Sequence, residues 1–271
     1  MNIENKKNIV DTVTEYGSSA ASSAVGAAIG GSVAGPLGAI GGAMAGTAIE
    51  NIAKRIGKEI KERMLSKSEE KKIDTVFTAA CEKITDKLNE GIQLRQDEFF
   101  AETSDNRSSA EEIFEGTLFA AQRESEEKKI KYYAKLYANI AFNETISRPI
   151  ANQLIKIAEQ LTYRQIVILH AIGAHQLIQK TSLFKNTAYS SVSGLTNVTI
   201  ASEIFELYRM SLISSKNVVF DSAGINPSAL SISGYGALIF QLMELTQLDT
   251  DEDLPSMLME IVSFLTGKKL K

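Results

Sequence analysis

Between Ser66 and Leu161 the apolar residues recur every three or four positions, the period of an α-helix with one buried face. Ser66-Lys67-Ser68-Glu69 is a capping box, in which a serine and a glutamate three residues later satisfy each other's backbone amides, so it opens a helix. That helix carries Ile73, Val76, Phe77, Ala80, Ile84 and Leu88 on one face and is expected to extend to about Phe100. Ser108 and Glu111 form a second box. The helix behind it holds Ile113, Phe114, Leu118 and Ala121, and the pattern lets it run on through Arg123 to Glu127 into Ile130, Tyr133, Ala134, Tyr137, Ile140 and Ala141. Glu126-Glu127 beside Lys128-Lys129 reads as a solvated, salt-paired stretch. Pro149 begins a further helix with Ile150, Leu154, Ile157, Ala158 and Leu161 facing inward. The aromatic residues of this region read as core packing.

After Leu161 the pattern changes. Thr162 and Gln165 make a third box for a helix of Ile166, Leu169, Ile172 and Leu177. A Ser/Thr/Asn-rich loop over Lys180 to Asn197 precedes a helix with Ile200, Ile204, Leu207 and Leu212. Val218-Val219-Phe220, a turn at 222–227, and Leu230-Ser231-Ile232 read as a short β-ribbon. Ser233-Gly234-Tyr235-Gly236 then leads into a helix with Leu238, Phe240, Leu242 and Leu245, and a last helix starts near Pro255. Helix, loop, helix, two-stranded wing, helix is the order of a winged-helix module.

The N-terminal segment is different again. From Tyr16 to Ile49 there is no charged residue, and the bulky apolar side chains beyond Ser18 are Val25, Ile29, Val33, Leu37, Ile40, Met44 and Ile49. About 20 apolar residues suffice to cross a bilayer as a helix, but Gly, Ala and Ser make this run marginal as a lone span. Its glycines are ordered: Gly26 with Gly30, Gly31 with Gly35, and Gly38, Gly42 and Gly46 are each four apart. That spacing lines one helix face with hydrogens and lets another backbone approach closely. Gly35-Pro36 breaks the run, which gives a glycine-zipper helical hairpin from Ser18 to Ala34 and from Leu37 onward. A membrane-active hairpin, a hairpin buried in a soluble fold and a glycine-rich linker all remain open. The four-residue spacing of Val25, Ile29, Val33 and Leu37 favours the hairpins.

Ile49, Ile52, Ile56, Ile60 and Met64 continue as an apolar stripe, with a basic excess at Lys54, Arg55, Lys58, Lys61 and Arg63 on the remaining surface. Lys54, Arg55, Lys58 and Lys61 are candidates for an anionic lipid surface. The solvated face of a bundle helix is the equal alternative.

Composition narrows the function more by exclusion. The 271-residue chain is 44% hydrophobic and 23% charged, as a globular protein is, and its net charge of −4 argues against a whole-surface nucleic-acid binder. Glu203 and Glu206 against Arg209 make the candidate recognition helix, Thr199 to Ser214, poor at phosphate contacts, so no sequence-specific nucleic acid is expected. The single cysteine, Cys81, fits a reducing compartment, and the polar opening Met1-Asn2-Ile3-Glu4 lacks the character of a secretory signal. His170 and His175 are five apart and do not share a face, and no CxxC, HExxH, EF-hand, P-loop or GxSxG pattern is present. The sequence thus offers no catalytic, cofactor-binding or metal residues.

The stretch Ile130-Lys131-Tyr132-Tyr133-Ala134-Lys135-Leu136-Tyr137-Ala138-Asn139-Ile140, with Gln153 to Thr162 and on to Ile168-Leu169, resembles the abortive-infection alpha family of bacterial phage-defence proteins. That family pairs a helix of small residues ending in Leu-x-Ala-Asn, here Leu136-Tyr137-Ala138-Asn139, with a helix ending in Leu-Thr/Ser, here Leu161-Thr162, before a degenerate winged helix. The resemblance spans roughly residues 125–245. It implies a defence effector that harms or arrests the infected cell, and it brings no catalytic residues.

The sequence therefore predicts a mainly α protein in three parts. These are a glycine-zipper hairpin and amphipathic helix at 1–65, a helical bundle at 66–161, and a degenerate winged-helix-like module with a short β-ribbon and C-terminal helix at 162–271. The expected function is a non-enzymatic, membrane-acting effector that oligomerises through the zipper, cytoplasmic and associated with the inner face of the membrane. Its expected partners are further copies of itself, membrane lipid and a protein trigger. The alternative is a soluble winged-helix regulator or protein-binding sensor with a buried hairpin.

Overall fold

The computed structural model describes residues 52, 55–56, 65–102, 107–178, 183–216 and 224–268. Among them lie eight α-helices and one two-stranded antiparallel sheet, so the chain is mainly α-helical. It divides into two compact units, 1–156 and 157–271.

In the first unit, α1 (Lys67–Asn89), α2 (Ser109–Arg123) and α3 (Ile130–Ile140) pack on one another, joined by the start of α4 (Arg148–Gln160). Both capping boxes form as the sequence predicts. The Ser66 amide donates to Glu69 at 2.8 Å and the Glu69 amide to the Ser66 hydroxyl at 3.3 Å. The corresponding distances at Ser108 and Glu111 are 2.7 and 3.2 Å. Ile73, Val76, Phe77, Ala80, Ile84 and Leu88 are all buried. Phe114 stacks on Tyr137 with ring centroids 4.3 Å apart and lies 5.5 Å from Phe77, so the aromatics join the three helices at their centre.

Two expectations are corrected. Helix α1 stops at Asn89 rather than near Phe100, because Gly91 takes φ +84 and closes a Schellman turn, with Gly91 donating to the Leu88 carbonyl and Ile92 to that of Lys87. The chain then runs extended. There Arg95 is buried, pairs with Asp97, and donates to the Ile146 carbonyl at 2.9 Å and to the Ile140 carbonyl at 3.4 Å, which an extended helix could not do. The second correction is the break between α2 and α3. Glu124 leaves the helix with extended backbone and a 3-10 turn, Glu127–Lys129, starts the next. Lys129, expected in a solvated stretch, is buried and paired with Glu124. Glu124 also accepts from the Tyr133 hydroxyl at 2.8 Å and from the Glu126 amide at 2.9 Å. Burial works to raise the Glu124 carboxyl, but Lys129, the Glu126 amide and Tyr133 outweigh it and hold the group below its usual range.

In the second unit, α5 (Tyr163–Ile178) touches α6 (Leu195–Arg209), α7 (Tyr235–Leu242), α8 (Leu254–Thr266) and strand β2 (Leu230–Ile232). Thr162 and Gln165 close the third capping box at 2.9 and 3.1 Å. Strand β1 (Ile213–Ser215) pairs antiparallel with β2, Ile213 opposite Ile232 and Ser215 opposite Leu230. The expected strand Val218-Val219-Phe220 lies outside the described residues, whereas Leu230-Ser231-Ile232 is a strand as anticipated.

The helix expected to reach Ser214 ends at Arg209. Ser211, at φ +59, donates to the Tyr208 carbonyl and Leu212 to that of Leu207, so this too is a Schellman turn, and it swings the chain into β1. A Cβ on Gly236 would sit 1.8 Å from the Leu212 carbonyl oxygen, so only glycine lets α7 begin against that turn. Leu177, expected inside, is exposed near the end of α5; in the stretch of α7 and the turn after it Ile239, Leu242 and Leu245 are buried, whereas Leu238 and Phe240 are only half-buried.

Candidate functional site

The glycines that carry the zipper expectation, Gly26, Gly30, Gly31, Gly35, Gly38, Gly42 and Gly46, lie outside the described residues, as do Lys54, Lys58 and Lys61. The described residues nearest to them are Ile52, Arg55 and Ile56, each in helical conformation, a few residues after the uncharged run ends at Ile49. Ile52 and Ile56, four residues apart in sequence, are 5% and 3% exposed. Burying an isoleucine contributes roughly 1.5–3 kcal/mol, so both side chains add to the stability of the first unit.

Arg55 ties the chain at this point to two carboxylates. Its Nε lies 3.1 Å from Glu111 Oε1 and its Nη2 is 2.7 Å from Glu102 Oε1. The two carboxylates differ in setting, the Glu111 side chain being 4% exposed and that of Glu102 56%. Glu111 is the glutamate of the second capping box. Its Oε2 accepts from the Ser108 amide while its Oε1 faces Arg55, so one buried carboxylate both starts α2 and holds the segment from the N-terminal side. A bond to a buried carboxylate is worth more than one at the surface, since water competes less. Of the four basic candidates for a lipid surface, Arg55 is thus directed at protein carboxylates.

The capping role of Glu111 was legible from its spacing to Ser108. Its second partner was not, because Arg55 lies far away in the chain and no local pattern links them.

Several other polar groups among the described residues are engaged within the fold. Burial pushes the Cys81 thiol up to about 12, so it stays protonated at neutral pH. His170 Nδ1 sits 2.7 Å from the Leu245 carbonyl oxygen, and His175 stacks on Phe184 with centroids 3.8 Å apart. Glu203 of α6 is bonded to Arg164 at 2.6 Å and Glu206 to Gln165 at 2.9 Å, so both acidic residues of the candidate recognition helix tie it to α5. Among the described residues no group of His, Cys, Asp and Glu could hold a metal ion, and no helix is long and apolar enough to cross a membrane. Compared with known proteins, the chain matches no family model, no curated protein and no solved structure.

Proposed function

We propose that the chain is a membrane-acting, non-enzymatic effector of an anti-phage or toxin-like kind, which oligomerises through its glycine-rich segment and perturbs a bilayer. The observation that carries this reading is the uncharged run from Tyr16 to Ile49, with Gly31, Gly35, Gly38, Gly42 and Gly46 at spacings suited to close helix packing. The run has too little bulky apolar surface to hold in lipid alone, so several copies are required. The resemblance of residues 125–245 to the abortive-infection alpha family supports the defence setting. The order α5, loop, α6, β1–β2 ribbon, α7 supports a winged-helix-like module, and the engagement of Glu203 and Glu206 with α5 supports a structural or protein-contact role for it over DNA reading. Its partners in this reading are further copies, lipid at the inner face of the membrane and a protein trigger.

The test is replacement of Gly38, Gly42 and Gly46 by Leu, with release of a dye from phospholipid vesicles as the readout. Hydrophobicity rises, yet close backbone approach is blocked, so leakage is abolished. Leakage equal to or above that of the parent contradicts the packing mechanism.

The burial of Ile52 and Ile56 favours a second reading, in which the hairpin is itself part of a soluble fold that acts as a protein-binding regulator. That reading requires the parent protein to leave vesicles intact and to keep residues 18–49 protected from amide exchange when vesicles are present.

A further inference from the structure

We draw no further inference here: the strongest candidate, the exposed apolar face at the start of α6 in the second unit, where Leu195 is 85% and Val198 44% accessible within the uncharged stretch between Lys185 and Glu203, carries nothing because nothing in the structure shows what covers it.

Discussion

The Glu124 carboxylate and the Lys129 ammonium meet in the interior of the first unit, across the break between α2 and α3. Both side chains are nearly inaccessible, at 7% and 3%, so the pair is held by protein groups in place of water. The Tyr133 hydroxyl and the Glu126 amide complete the shell of Glu124, and the Lys72 ammonium donates to its backbone carbonyl. The network makes the bend between the helices specific, since a continuous helix would carry these groups away from one another.

Breaking that pair from one side is therefore costly. Lys129→Met leaves a buried carboxylate without its counter-charge and is expected to destabilise the protein by about 3–5 kcal/mol. Glu124→Gln combined with Lys129→Met removes both charges and is expected to recover a large part of that loss. Urea unfolding of the two variants beside the parent checks both statements. Equal midpoints for parent and Lys129→Met would show that the pair is inert.

Two Schellman turns place a side chain where glycine is usual, Ser211 at φ +59 and Glu244 at φ +57. Leu245 donates to the Phe240 carbonyl and Glu244 to that of Gln241, repeating the pattern seen at Leu212 and Ser211. The left-handed conformation costs an ordinary residue roughly 1–2 kcal/mol, and glycine largely escapes this. Ser211→Gly and Glu244→Gly are each expected to stabilise the protein by about 1 kcal/mol, less than the full strain because glycine also gains freedom in the unfolded chain. Thermal melts of the single variants would reveal the gain, and a lower midpoint in both would refute the account of these turns.

Much of this architecture was legible because it is local. Ser66 with Glu69, Ser108 with Glu111, and Thr162 with Gln165 act over three residues, and each opens a helix where the sequence places it. The apolar face from Ile73 to Leu88 was legible for the same reason. What escaped was set by distant partners. Lys129 looks solvated among Glu126, Glu127 and Lys128 until α3 brings Tyr133 beside Glu124. Arg95 looks helical until the carbonyls of Ile140 and Ile146 are in reach. Strand β1 was read as the end of a helix because a turn built on Ser211 carries none of the glycine signal that usually marks such a stop. At the candidate site, Arg55 was legible as one of several basic residues, whereas its attachment to Glu111 was not.

Asp74 supplies a prediction with a definite pH sign. Burial, with Glu70 as a secondary cause, raises its carboxyl from an ordinary 3.8 to about 6. The unfolded chain ionises this group more readily than the folded one, so its contribution is most favourable below about pH 4 and is lost as pH rises through about 6. Asp74→Asn keeps the site neutral at every pH. The variant is expected to melt above the parent at pH 7–8, with the difference fading as pH falls from about 6 towards 4. A difference that is constant with pH, or that grows on acidification, contradicts the assignment.

The central claim is that the activity resides in the uncharged segment and that the helical units only carry it. The described units have their own caps at Ser66, Ser108 and Thr162 and their own buried faces, so they have the means to fold without residues 18–49. The most direct measurement is deletion of residues 18–49, read by circular dichroism on the purified protein and by the growth of cells expressing it. The account predicts a helical, cooperatively melting protein that no longer affects growth. A folded deletion variant that still arrests growth would contradict it and put the activity in the helical body, and a deletion variant that fails to fold would make the segment part of the core.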